Sequence, residues 1–342
     1  MGPNAMDINA VTEIISGLFN NNSNHTPEID LLQEIITTVV KLSQDHPDRG
    51  DLKIIHNAFK EMRFGFKLFA PYRHIRKVSV FGSARTMPHE PVYHQAEEFA
   101  RNITGKNFMV ITGAGEGIMK GAQGGAGRDQ SFGMNIYLPF EQAANKFIEN
   151  DPKLITFKYF FTRKLFFIKE ADAVVLFPGG FGTHDEGYEA LTLIQTGKSD
   201  PLPVVFLDAP GGTFWKTWES YVRKELLGRN LISSEDLSLF KVTDDTAVAV
   251  DEVVRFYANY HSLRYVRDQL VIRMQRAAQP AMLDRLNQDF SDMLVSGKIE
   301  SALALPEESN EPEIEDLPRL VLQFNRRNFG RLRQLIDAIN QY

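Results

Sequence analysis

The chain of 342 residues contains no cysteine. That absence removes disulfide frameworks, thiolate zinc sites, iron–sulfur clusters and thiol nucleophiles from consideration. Long apolar runs are missing too. No stretch approaches the ~18 to 20 apolar residues of a membrane span, and the segment from Met1 to Ala10 has neither the basic nor the apolar region of a secretory signal. Gly2 follows Met1, but Met6 stands where the myristoylation pattern requires Ser or Thr. A soluble, cytoplasmic protein with no membrane partner is therefore expected. Excess positive charge is also lacking: the formal net charge of -6 argues against sequence-independent nucleic-acid binding as the main task. The histidines form no HExxH pair, and His89 with His94 reads as a surface coincidence, so no metal is expected. What is present is enough apolar residue, 43%, to bury a sizeable core in a main domain with accessory segments.

A polar lead-in over residues 1–25 is followed by Thr26-Pro27-Glu28, an N-cap, a proline at the first helical position and an early acid. Two amphipathic helices follow, the first with Leu32, Ile35, Ile36, Val39 and Val40, the second with Leu52, Ile55, Phe59, Met62, Phe66 and Phe69, giving a helical extension over 26–73. From Lys77 the pattern changes to short β-branched runs alternating with helical stretches: 78–81, 109–112, 132–137, 173–177 and 204–207, with further candidate strands at 154–157 and 239–242. Continuous apolar strands separated by helices predict an α/β fold, a doubly wound parallel sheet of about seven strands covered on both faces, over 74–258. Leu263, Val266, Leu270, Ile272 and Met274 recur at helical spacing, and further helices are expected at 281–295 and 318–339. Residues 259–342 are thus expected to be a second helical extension. The acid-rich stretch 306–316 within it reads as a solvated linker, with the arginines of the last helix, Arg319 to Arg333, pairing with it or with another subunit.

In an open parallel sheet, ligands sit at the carboxyl ends of the strands, so the loops there carry the functional signal. The first is Gly82-Ser83-Ala84-Arg85; the second is Gly113-Ala114-Gly115-Glu116-Gly117. The third, Pro178-Gly179-Gly180-Phe181-Gly182-Thr183-His184-Asp185-Glu186, follows a strand and opens a helix. Glycine amides, a hydroxyl and a helix N-terminus suit a phosphate. Glu186, about one turn in, suits a neutral or cationic group such as a ribose edge; its spacing from Thr183 equally fits a capping box, and the sequence leaves both readings open. Two better-known phosphate motifs fail. Ile118 stands where a dinucleotide fingerprint needs its third glycine, and Thr192 where a Walker loop ending at Gly197-Lys198-Ser199 needs its first.

The PGGxGTxxE pattern of Pro178 to Glu186, with Arg163-Lys164 upstream on the preceding helix, resembles the LOG (Lonely Guy) family of nucleoside 5'-monophosphate phosphoribohydrolases, long labelled lysine decarboxylase-like. The resemblance spans about residues 75–258, and the flanking segments resemble those of longer members. It implies hydrolysis of the N-glycosidic bond of an AMP-like or cytokinin riboside monophosphate to free base and ribose 5-phosphate. Carried over by residue, Arg163 and Glu186 take the catalytic positions and Gly179, Gly180, Gly182 and Thr183 the phosphate-binding positions. Gly82, Ser83, Gly113, Gly115 and Gly117 would line the same pocket. The resemblance also implies a homodimer with active sites near the subunit interface. No cofactor is expected, since nothing marks a lysine for a pyridoxal phosphate Schiff base. Two positions depart from the family pattern: His184 where an apolar residue is usual, and Ala114 where another glycine is common.

Tyr188, Glu189, Arg85 and Phe160 are candidate base contacts. The rival to an enzyme is a nucleotide sensor of the same fold, which needs the glycine cradle but not the acid. A third reading, single-stranded nucleic-acid handling, calls for a basic groove with stacking aromatics, and no such stripe is present.

Overall fold

The computed structural model describes Gly17 and residues 28–138 and 143–342. The expected lead-in thus lies outside the described residues apart from Gly17, as do Thr26 and Pro27. The described residues fall into two compact units, those up to Arg63 and those from Phe64 onward. The first contains helix α1, Glu28–Gln44, and most of helix α2, Arg49–Phe69. Leu32, Ile35 and Val39 of the expected α1 stripe are exposed.

The second unit is built on a seven-stranded sheet. Its elements in chain order are β1 (Lys77–Phe81), α3 (Pro91–Thr104), β2 (Met109–Thr112), α4 (Ile118–Ala126), β3 (Ser131–Ile136), β4 (Leu154–Phe157), α5 (Phe160–Lys169), β5 (Ala173–Leu176), α6 (Phe181–Gln195), β6 (Val204–Leu207), α7 (Phe214–Tyr221), β7 (Lys241–Thr243) and α8 (Thr246–Phe256). The spatial order is β4-β3-β2-β1-β5-β6-β7, and every pairing is parallel. This is the doubly wound α/β fold expected from the strand–helix alternation. The central strands are short and mostly apolar, as expected where helices cover both faces. Side chains alternate across the sheet: Val78 and Val80 join Phe99 and Ile103 of α3 and Val253 of α8 in one core cluster. Their neighbours Ser79 and Phe81 point the other way, where the Ser79 hydroxyl donates to Phe167 O at 2.7 Å and Phe81 packs edge-on against the Phe167 ring. That second face is largely aromatic. Phe69 stacks on Phe132 at 4.6 Å, and Trp218 stacks on Phe206 at 4.2 Å.

Beyond α8 the expectation of a helical extension is overturned. Residues 260–266 and 269–274 form the hairpin β8 (Tyr260–Val266) and β9 (Gln269–Met274), and with β10 (Glu300–Ala302) and β11 (Arg319–Leu322) they make a four-stranded antiparallel sheet of order β10-β11-β9-β8. Two helices accompany it, α9 (Pro280–Asp289) and α10 (Phe329–Ile339). Leu263, Val266 and Leu270 fall three and four apart, which imitates a helix; the register Val266↔Gln269 instead leaves Arg267-Asp268 as a two-residue turn. The final helix begins at Phe329 rather than Pro318, capped by the Asn328 side chain accepting from Arg331 N.

The acidic stretch is not a solvated linker either. It folds as two short 3-10 turns that bury Glu308 to 3% exposure between Arg273, at 2.7 Å, and Arg319, at 3.3 Å. Arg319 thus meets the acidic stretch as expected, whereas Arg331 pairs with Asp292 and Arg333 with Glu252 and Asp337.

Candidate active site

In this strand order the chain winds outward from β1 through β2 to one edge and from β5 through β6 to the other, so the switch point lies between β1 and β5. Crevices form at such points outside the carboxyl ends of the strands. Here the loop after β1 meets the loop after β5, and Ser83 N donates to Pro178 O at 3.1 Å. The result is an open cleft of about 1310 Å³. It is lined by Gly82, Ser83, Gly113, the turn from Gly179 to Thr183 that opens α6, Glu186, Arg163 and Phe167 of α5, and Phe214, Trp218 and Tyr221 of α7.

Helix α6 has Gly180 as its N-cap, and no side chain caps it. The amides of its first residues, Phe181 and Gly182, are therefore open to an anion, in the electropositive field of the helix end. Gly180 at the cap also places Thr183 inside the first turn, so the alternative of a Thr183–Glu186 capping box is ruled out. Gly179 is required by close approach: a Cβ there would lie 2.1 Å from Thr183 Oγ1 and 3.0 Å from Ser83 N. Its absence lets a hydroxyl and an amide converge on one spot.

Not every glycine of the second loop reaches the cleft. Gly113 lines it, but Gly115 and Gly117 are buried behind it. Gly117 has φ +63, and a Cβ there would meet Ser83 O at 2.2 Å; its neighbour Ile118 donates its backbone N–H to that same oxygen at 3.0 Å. Gly115 O accepts from Asn145 Nδ2 at 2.9 Å. Gly117 thus supports the first loop from behind, and Gly115 is tied to Asn145. Just before Gly115, Ala114 adopts φ 61, a left-handed backbone that costs an alanine about 1 to 2 kcal/mol. Asn145 offsets this: its backbone N and its Nδ2 both donate to Ala114 O, at 2.8 and 3.1 Å. Sequence reasoning had no signal for Asn145, which lies some thirty residues downstream of the loop it secures.

Arg163 of α5 and Glu186 of α6 both line the cleft, each within reach of the other's charge. The Arg163 guanidinium lies over the rings of Phe160, at 4.9 Å, and Phe167, at 5.6 Å, and its Nε is buried without a hydrogen-bond partner. Burial pulls its proton affinity down, opposed by the charge of Glu186. Glu186 is 5% exposed, and its Oε2 is likewise buried and without a hydrogen bond. Burial pushes its pKa up to about 7 against the attraction of Lys164 and Arg163. Buried polar atoms nearly always have partners, so an Nε and an Oε2 without hydrogen bonds, on two residues that line one cleft, mark it as a candidate functional site.

Lys164, quoted in the sequence only as the neighbour of Arg163, belongs to this constellation. Its ammonium lies 2.6 Å from Glu189, 3.0 Å from Asp185 and 3.5 Å from Glu186. Burial works against its charge, but these carboxylates raise its proton affinity above the ordinary lysine value. Glu189 is thus a partner of Lys164 and not a cleft residue, and Phe160 supports Arg163 from outside the lining. Arg85 and Tyr188 do line the cleft. So does His184, packed against Phe214 at 5.7 Å and Trp215 at 5.4 Å, which accounts for an aromatic imidazole where an apolar residue is usual.

Among the described residues no group of three or more His, Asp or Glu side chains could hold a metal ion, and no helix is long and apolar enough to cross a membrane.

Comparison with known proteins gives three findings. A family model described as "Possible lysine decarboxylase" matches residues 116–253. No curated protein matches the sequence. Among solved structures the chain is similar to a molybdenum cofactor binding protein from Rippkaea orientalis, with 16% identity over 52% of this chain and 94% of that one and a TM-score of 0.38. It is similar to a molybdenum cofactor carrier protein from Chlamydomonas reinhardtii, with 19% identity over 53% and 98% and a TM-score of 0.37. It is also similar to DNA processing protein A from Helicobacter pylori, with 13% identity over 53% and 80% and a TM-score of 0.36. At such identities and scores the likenesses carry no statement about chemistry.

Proposed function

We propose that the chain is a hydrolase that cleaves the N-glycosidic bond of a nucleoside 5'-monophosphate, AMP-like or a cytokinin riboside monophosphate, giving free base and ribose 5-phosphate. The observation that carries this reading is the buried Glu186, lining the cleft with an Oε2 that makes no hydrogen bond, about one turn behind an uncapped helix N-terminus. The 5'-phosphate binds at the Gly179, Gly180, Gly182 and Thr183 turn, with Ser83 beside it. A monophosphate so anchored places its ribose over Glu186. As the bond from C1' to the base breaks, positive charge grows on the ribose, and a carboxylate in a water-poor site stabilises that charge or orients the attacking water. Water delivers hydroxide to C1' and the base leaves with a proton. Arg163 holds the phosphate or Glu186 in register, and remote anchoring of the phosphate keeps the sugar in a reactive geometry. The base lies toward Tyr188, Phe214, Trp218 and Tyr221.

A decarboxylase reading finds no support here. Pyridoxal phosphate chemistry needs a lysine able to form a Schiff base, yet the cleft lining contains none, and nearby Lys164 is held as an ammonium by three carboxylates. A second copy of this chain is proposed to pack beside the cleft: Phe160, Phe161 and Leu165 on α5 and Phe181, which is 96% exposed, form an apolar rim of the kind that marks an interface.

The reading is tested by comparing AMP with adenosine as substrates. Release of adenine from AMP, with kcat/KM at least ~100-fold above that for adenosine, is expected from the phosphate anchor. Equal rates would overturn the assignment of the α6 turn.

A further inference from the structure

Three carboxylates on α6, Asp185, Glu186 and Glu189, converge on the single ammonium of Lys164 on α5, and only one of the three belongs to the cleft lining. Their distances are graded. Glu189 takes a short hydrogen bond at 2.6 Å and Asp185 an ion pair at 3.0 Å, while Glu186 Oε2 stands off at 3.5 Å and has no hydrogen bond. An ammonium at that range acts on the charge of Glu186 without occupying the oxygen's lone pairs. Asp185 and Glu189, both closer to the ammonium than Glu186, tether the lysine.

We propose that Lys164 is a positioning residue for Glu186: tethered by Asp185 and Glu189, it stands against the buried Oε2 and both favours and orients the ionised carboxylate at the edge of the cleft. The proposal rests on the phosphoribohydrolase reading for its role in turnover, but its physical core, control of one carboxylate by one ammonium, stands apart from that reaction. The charged groups facing Glu186 are Lys164 and Arg163 from α5 and Asp185 and Glu189 from α6. Without Lys164 a single guanidinium would face three carboxylates. Burial already raises the proton affinity of Glu186, so loss of the ammonium leaves the carboxyl protonated over more of the neutral range.

Lys164→Gln keeps a donor for Asp185 and Glu189 but removes the charge; Lys164→Arg keeps the charge. The full chain, labelled with carboxyl-13C glutamate, is titrated by NMR, with the Glu186 resonance assigned from Glu186→Gln. In parallel the pH dependence of kcat/KM for AMP is recorded. In Lys164→Gln the titration of Glu186 is expected to move up by about one pH unit or more, as for loss of an opposite charge within ~4 to 6 Å. The acid limb of kcat/KM should move with it, and Lys164→Arg should restore both. A wild-type titration in Lys164→Gln would overturn the proposal, because a lysine that merely joined two helices would change stability and not the titration of Glu186. Should Lys164→Gln fail to fold, Lys164→Met, an apolar side chain of similar length, is put through the same titration with the same two outcomes. If the wild type releases no base, the enzymatic reading alone fails, and the NMR titration still decides whether Lys164 governs Glu186.

Discussion

Glu186 holds its proton far more tightly than a solvated glutamate, and this has consequences in both stability and rate. Its pKa is pushed up to about 7 from 4.5, so between those values the folded chain binds a proton that the unfolded chain has released. Stability contributed by this group is therefore full below the unfolded value and falls as pH rises through 7. Glu186→Gln should gain at most about 3 kcal/mol at pH 8 and almost nothing at pH 4, measured by denaturant melts at the two pH values. An equal effect at both would show that burial does not govern the group. In the proposed reaction the sign reverses, since the ionised form is the one that would stabilise the ribose cation. The kcat/KM for AMP should rise with pH across an apparent pKa near 7, separate from the ionisation of the substrate phosphate at about 6. A profile flat from pH 6 to 8 would speak against a carboxylate role. Arg163 and Glu186 were legible in the sequence because they sit in compact motifs. Lys164 was not assigned, because its three partners lie across a helix pair, 21 to 25 residues away.

At the level of elements, the site is a set of loops held by close backbone approach. Gly117 is the point where the α4 start passes under the β1 loop, and its positive φ and the 2.2 Å clearance to Ser83 O exclude a side chain. Gly117→Ala should destabilise the chain by about 1 to 3 kcal/mol and raise the KM for AMP by displacing Ser83. Gly182→Ala, where a Cβ meets nothing within 4 Å, should leave the melting temperature close to wild type. Thermal melts of the two variants separate a supporting glycine from one that faces the cleft. The parallel strands were readable because each is a short β-branched run between helices, and six of the seven lie within one residue of expectation at both ends. The exception is β7, displaced because 235–239 forms a 3-10 turn. The β8–β9 hairpin was not readable. Its turn is Arg267-Asp268, with Arg267 at φ 54, and lacks the Asn-Gly or Asp-Gly signal that usually announces a two-residue hairpin.

For the molecule as a whole, the C-terminal sheet depends on a buried ionic knot in which Glu308 bridges Arg273 of β9 and Arg319 of β11. Burial opposes the charge on Glu308, but backbone and arginine hydrogen bonds hold its carboxyl below the usual glutamate value. Glu308→Ala leaves two arginines without their shared anion and should cost about 3 to 5 kcal/mol in global stability by denaturant melt. A loss under ~1 kcal/mol would mean that water or Glu311 replaces the missing charge. Composition concealed this arrangement, since six acids in eleven residues look like a solvated segment until their partners on other strands are known. The parallel sheet, in turn, brings loops separated by almost a hundred residues to one crevice, lined by the Gly179–Thr183 turn, Glu186 and Arg163. The most direct test of what that crevice does is the rate of adenine release from AMP by the wild type, Glu186→Ala and Arg163→Ala. The expected result is release of adenine and ribose 5-phosphate by the wild type and a loss of at least ~100-fold in each variant. Near-native rates in both variants, or tight binding of AMP by the wild type without any release, would contradict it.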